Sequence, residues 1–128
     1  MESSIEGTVL AVSDDPGIAD DLRFGLPGGL ETIGASDARE AWKELGDSAI
    51  VPRAVVMDLQ TGSAGGFSLA SDLHQSERLK EVPIVMLIER DQDAWLADQA
   101  GARVVLRKPL EPAVLVDAVL SVLSEVSR

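Results

Sequence analysis

The sequence predicts an α/β protein with a doubly wound, five-stranded parallel sheet and helices on both faces. Three observations carry that expectation. Short runs such as Ala54-Val55-Val56-Met57 and Pro83 to Ile88 are apolar throughout, the pattern of strands buried on both faces. Between such runs lie segments whose apolar residues recur at helical spacing. Strand and helix alternate in roughly equal units, which favours parallel pairing with helical crossovers.

Thr8 to Ser13 reads as the first strand. Asp15 then suits an N-cap and Pro16 the first helical position. Ile18, Leu22 and Leu26 repeat along one face until Pro27-Gly28-Gly29 ends the helix. Leu30 to Ala35 is a weaker second strand. Asp37 and Glu40 stand at capping-box spacing ahead of an apolar stripe at Ala38, Ala41, Trp42 and Leu45, and Gly46 is expected to stop this second helix. The third strand is the run Ala54 to Met57, closed by Asp58. A polar loop from Leu59 to Gly66 leads into a third helix carrying Phe67, Leu69, Ala70 and Leu73 and reaching about Ser76. After the fourth strand, Asp91 or Asp93 is expected to cap a short helix carrying Trp95, Leu96 and Ala100, which Gly101 closes. Ala102 to Leu106 reads as the fifth strand. Pro112 starts a last helix to about Val126, apolar at Leu115, Val119, Val122, Leu123 and Val126. Val116 and Leu120 widen that arc, a pattern produced by thorough burial against the sheet or by a partner surface. Trp42 and Trp95 read as packing residues, and His74, the single histidine, as part of an exposed helix face.

Composition narrows the function. A length of 128 residues fits one domain, 1–128 with a core of about 8–126, and with no linker or second composition zone no attached output domain is expected. The absence of cysteine excludes disulfides and thiolate metal sites. Lys and Arg number 11 against 22 Asp and Glu, and the formal charge of −11 repels nucleic-acid phosphates and anionic lipids. Neither a nucleic-acid nor a membrane partner is therefore expected. The first apolar run ends at Val12, too short for a signal peptide or a membrane span, so a cytoplasmic location is expected.

In open α/β sheets, ligands gather at the carboxyl ends of the strands. Asp14 and Asp15 follow the first strand and Asp58 ends the third. If those strands are neighbours the carboxylates converge on one pocket, where their repulsion requires a cation or a shifted protonation. Hard oxygen ligands without His or Cys favour Mg²⁺. Lys108 follows the fifth strand, a point charge able to pair with a carboxylate or a phosphoryl group.

An acidic pair after the first strand, an aspartate ending the third and Lys108-Pro109 after the fifth, with Ala100-Gly101-Ala102 ahead of it, resemble the receiver domain of two-component response regulators from Thr8 to Val126. The resemblance implies a flavodoxin-like strand order 2-1-3-4-5, and a receiver ending at Arg128 without an output domain is expected to act as a stand-alone module that signals by protein contacts. It implies that Asp58 takes a phosphoryl group from the phosphohistidine of a sensor histidine kinase or phosphotransfer protein. By the same resemblance Asp15, Asp58 and the backbone carbonyl of Gln60 bind Mg²⁺, Asp14 acts through metal-bound water, and Lys108 contacts the phosphoryl group. A cis Lys108-Pro109 bond is implied as well. A downstream protein partner engaged through the final helix is expected, with a homodimer as one arrangement.

The chain departs from the receiver pattern near the site. Ile88 stands where receivers carry Thr or Ser at the end of the fourth strand, and Val105 where an aromatic switch residue stands in the fifth. Glu89 replaces a usually small residue, and Gly62 a common loop proline. The usual hydroxyl and aromatic relay is therefore not carried over, and a phosphorylation-independent pseudo-receiver, a protein interaction module, is the alternative expectation. A turnover enzyme is not expected. Asp58-Leu59-Gln60-Thr61 is faintly similar to the nucleophile loop of haloacid-dehalogenase-like hydrolases, but Gln60 stands where a second acid belongs and no substrate domain fits in this length.

Overall fold

The computed structural model describes residues 6–48, 51–59 and 65–126. Strands β1 (Gly7–Val12), β2 (Leu30–Ala35), β3 (Ala54–Asp58), β4 (Ile84–Ile88) and β5 (Val104–Arg107) form one sheet in the order β2-β1-β3-β4-β5, every pair parallel. This is the fold class and strand order expected from the sequence. Helices α1 (Pro16–Gly25), α2 (Ala38–Ser48), α3 (Gly65–His74), α4 (Ala94–Gln99) and α5 (Pro112–Val126) connect and cover the strands.

Successive strand side chains point to opposite faces, and the core divides accordingly. Val9, Ala11, Ala54, Val56, Val85 and Leu87 pack with Ile18 and Leu22 of α1 and Leu115, Val119 and Leu123 of α5. Leu10, Val12, Val55, Met57, Met86 and Ile88 pack with Ala41 and Leu45 of α2, Leu69 and Leu73 of α3, and Ala97 ahead of the close of α4. Every residue of β3 and β4 is buried, while β5 is only half-buried. Burying one leucine or valine side chain contributes about 1.5–3 kcal/mol, so the two-sided central strands hold the sheet in register.

The wide apolar arc of α5 is used against α1 as well as the sheet. Val116 is buried, and a Cβ placed on Gly25 of α1 would lie 2.6 Å from Val116 Cγ2. At this contact only glycine lets the helices approach so closely. Leu120 is half-buried against the same cluster.

Several local expectations need correction. α2 does not stop at Gly46 but runs to Ser48. Glycine ends a helix when it takes a left-handed conformation, and Gly46 does not. The start of α2 is a shifted capping box: the Glu40 amide donates to Asp37 Oδ1 at 2.9 Å, while Glu40 Oε1 accepts from the Ser36 amide at 2.7 Å. α3 closes at His74, short of Ser76. Ahead of α4, a 3₁₀ turn spans Asp91–Asp93, and neither aspartate caps the helix with its side chain, because Arg107 holds Asp91 and Arg90 holds Asp93. Trp95 is 66% exposed rather than packed, since the inner side of the short α4 is taken by Ala97 and Ala100. Trp42 does pack, half-buried, against the core.

The close of α4 explains why β5 begins at Val104 and not at Ala102. Gly101 has φ +91°, the Gly101 amide donates to the Asp98 carbonyl at 3.0 Å, and the Ala102 amide donates to the Ala97 carbonyl at 3.2 Å. These two bonds form a Schellman motif, which consumes Ala102 before pairing with β4 resumes. His74 is exposed, as expected, and its ring lies against Gly101. Among the described residues no helix is long and apolar enough to cross a membrane.

Candidate functional site

The sheet ladder continues one residue past three strands and so sets the rim of the site. The Ser13 amide donates to the Ala35 carbonyl at 2.9 Å, the Leu59 amide to the Leu87 carbonyl at 2.9 Å, and the Lys108 amide to the Ile88 carbonyl at 2.7 Å. Val12 pairs with Met57, so Ser13 stands level with Asp58. Strand parity then turns Ser13, Asp58 and Lys108 to the same side of the sheet.

Asp58 is 7% exposed and both of its carboxylate oxygens are engaged. Lys108 Nζ lies 2.9 Å from Oδ1, and the Ser13 hydroxyl donates to Oδ2. Ser13 Oγ also accepts from the Asp15 amide at 3.0 Å, which ties the hydroxyl to the turn before α1. Glu89, exposed, approaches the same ammonium at 3.8 Å. Burial pulls the Lys108 amine down, but its hydrogen bond to Asp58 and the charges of Asp58, Glu89 and Asp15 outweigh that, leaving it above the ordinary lysine value. Lys108 therefore stays an ammonium throughout the neutral range. Lys108-Pro109 is cis, as the family resemblance implies.

The residues expected at the site are distributed unevenly. Asp14 lines a cavity of about 470 Å³ together with Asp58, Lys108, Glu89, Arg90 and Asp93. Asp15 does not line it. Asp15 Oδ1 accepts from the Gly17 amide at 2.9 Å as the N-cap of α1, and its carboxylate faces Lys108 from a neighbouring cleft. Gln60 and Gly62 lie outside the described residues, as do the side chains of Phe67 and Val126. Ile88 is 4% exposed among the residues packed on α3 and α4, so the wall there is apolar. Val105 is half-buried on that same face.

Two further groups were not evident from the sequence. Ser13 reads as the ordinary end of a strand, and only the register of β1 against β3 turns its hydroxyl toward Asp58. Arg90 pairs with Asp93 rather than with its neighbour Glu89, through Nε to Oδ2 at 3.2 Å and Nη2 to Oδ1 at 3.0 Å. The Arg90 guanidinium is held above its ordinary value first by the hydrogen bond to Asp93, then by that carboxylate's charge.

Among the described residues no three His, Cys, Asp or Glu side chains group as a metal cage. Asp14 and Asp58 nevertheless offer hard oxygen donors to one cavity. That donor set suits Mg²⁺, which keeps several waters and takes one or two carboxylates, and suits a softer ion poorly.

Known proteins share this architecture over nearly the whole chain. The family described as response regulator receiver domain matches residues 9–120. A protein of Leptolyngbya boryana, described as an uncharacterized 14.6 kDa protein, is 29% identical over 120 residues, covering 91% of this chain and 89% of that protein. RpaA of Synechocystis sp., described as a DNA-binding dual master transcriptional regulator, is 25% identical over 126 residues, and the match takes in 94% of this chain but 50% of RpaA. The chain thus spans half the length of that relative. Among solved structures, the chemotaxis response regulator CheY4 of Vibrio cholerae superposes with a TM-score of 0.81 at 25% identity, covering 92% of this chain and 99% of that one.

Proposed function

Because the chain belongs to the response regulator receiver family, we propose that Asp58 accepts a phosphoryl group from a phosphohistidine of a sensor histidine kinase or phosphotransfer protein. The phosphorylated domain then signals through contacts with other proteins in the cytoplasm. The single observation that carries this reading is the buried Asp58 carboxylate facing the Lys108 ammonium at 2.9 Å in a cavity open at the strand ends.

In the transfer, an Asp58 oxygen forms a P–O bond as the P–N bond of the phosphohistidine breaks, and the imidazole nitrogen keeps the bonding pair. Such a step needs positioning and charge neutralisation more than covalent chemistry. Lys108 balances charge on the Asp58 side, and Ser13 fixes the rotation of the carboxylate. Asp14 and Asp58 would hold a Mg²⁺ ion, which would supply neutralisation of the phosphoryl oxygens. Asp58 is an acceptor that holds its phosphoryl group, and no sustained turnover of a generic phosphate ester is expected. The test is incorporation of one phosphoryl group from acetyl phosphate, read by intact-protein mass, in wild type and Asp58→Asn.

A second reading, the phosphorylation-independent interaction module, draws on the apolar wall at Ile88, which offers no hydroxyl donor. The readings part at Asp58→Asn. Loss of the cellular phenotype with the fold intact supports phosphotransfer, and a retained phenotype supports the interaction module.

A further inference from the structure

The cavity beside Asp58 contains a second cation whose partner can change. Among the described side chains that line it, the cations are Lys108 and Arg90. Lys108 already serves Asp58 and Glu89. Arg90 is bound at two points to Asp93, and the pair is asymmetric: the Arg90 side chain is 58% exposed and that of Asp93 only 6%. The guanidinium is therefore free to swing from a carboxylate fixed in the protein. The Ile88 side chain, on the same wall, has no polar group with which to contact a phosphoryl oxygen.

Phosphorylation of Asp58 replaces a singly charged carboxylate with a group carrying about −1.5 to −2 and additional acceptor oxygens. The planar fork of arginine binds phosphate and carboxylate alike at two points, so a more highly charged phosphoryl group in the same cavity competes directly with Asp93. We propose that Arg90 leaves Asp93 for the phosphoryl group on Asp58, and that this exchange transmits phosphorylation to α4. The proposal rests on Asp58 being a phosphoacceptor and deepens that reading.

The consequence at α4 follows from burial. A carboxylate as buried as Asp93 is costly without a partner, so loss of Arg90 drives it toward water. Asp93 ends the 3₁₀ turn and immediately precedes α4, so its movement opens the turn and shifts the first residues of the helix. Besides the amide bonds of Asp93 to the Arg90 carbonyl at 3.0 Å and of Ala94 to the Asp91 carbonyl, the turn is fastened by the exposed Arg107–Asp91 pair at 3.1 Å, which resists weakly. The far end of α4 is held by the Schellman bonds at Gly101 and Ala102. Motion is thereby confined to the end that carries Trp95 and Leu96, both exposed.

Trp95 provides the readout. In the full chain carrying Trp42→Phe, which leaves Trp95 as the sole tryptophan, phosphorylation by acetyl phosphate with Mg²⁺ is followed by mass and by fluorescence, and fluorescence change is scaled to phosphoryl group bound. The expected result is a change at Trp95 that is lost in Arg90→Ala and largely lost in Arg90→Lys, which keeps the charge but not the fork. The double variant Arg90→Ala/Asp93→Ala leaves no unpaired buried carboxylate, so it guards against misfolding, and it too loses the response. A labelled Arg90→Ala or double variant with the full fluorescence change overturns the proposal, as does a labelled parent with no change at Trp95. Failure of the parent to be labelled by either acetyl phosphate or a phosphohistidine donor overturns the phosphoacceptor reading, and this inference with it.

Discussion

Two ion pairs line one cavity and are built on opposite principles. Lys108–Asp58 joins the ends of β5 and β3, which are not adjacent strands and meet only through the whole sheet, with both side chains largely buried at 20% and 10% exposure. Arg90–Asp93 joins residues three apart on one turn, with the arginine mostly in solvent. The first pair exists only when the fold does, and so fixes the reacting carboxylate. The second is local, and its arginine can change partner without cost to the sheet. The site thus keeps a rigid half at the ends of β1, β3 and β5 and an adjustable half between β4 and α4.

The largest effect is expected from breaking the rigid pair. Lys108→Ala should slow phosphorylation of Asp58 about a hundredfold, as loss of one preorganised charge-stabilising group commonly does. It should also lower stability by about 1–3 kcal/mol in urea titration, between the values for exposed and fully buried pairs. The pH dependence sharpens the same point. Because the folded-state value of Lys108 lies above that of the unfolded chain, the pair's contribution is complete below the ordinary lysine value and is lost as pH rises through the raised one. Urea midpoints should therefore fall in alkaline solution for wild type, with a smaller fall in Lys108→Ala.

A smaller effect is expected where α4 is anchored. Gly101→Ala places a Cβ at φ +91° and against the His74 ring at Cε1, and the conformational part alone costs about 1–2 kcal/mol. Adding His74→Ala removes the clash and leaves that strain, so thermal denaturation should show partial recovery. Full recovery would mean that the backbone at Gly101 is not strained. The least effect belongs to Trp95→Ala, which should change stability by no more than about 0.5 kcal/mol in the same assay, since the side chain is exposed. A larger loss would show that Trp95 packs against the molecule and that the adjustable half is stiffer than described.

The legible parts of the sequence were those fixed by pattern over several residues. The apolar runs of β3 and β4, the Pro16 start of α1 and the Gly101 close of α4 each follow from local chemistry, and their alternation with helices gave the sheet. Gly46 gives a false stop because composition does not report whether a glycine takes a left-handed conformation. Asp91 and Asp93 suggest caps they do not form because their partners are decided in three dimensions: Arg107 arrives from the end of β5, and Arg90 reaches past Glu89. Ser13 carried no signal of its own, since a serine ending a strand is ordinary and its contact with Asp58 depends on the Val12–Met57 register. Asp15 has two uses in the sequence reading, a cap and, by the family resemblance, a metal ligand, and in the structure its Oδ1 serves as the cap.

Phosphoryl incorporation from acetyl phosphate into wild type and Asp58→Asn, each with and without Mg²⁺, tests the role of Asp58 most directly. One phosphoryl group is expected on wild type, dependent on Mg²⁺, and none on Asp58→Asn. Equal incorporation in both proteins, or none in wild type from either acetyl phosphate or a phosphohistidine donor, would contradict a phosphoacceptor role for Asp58.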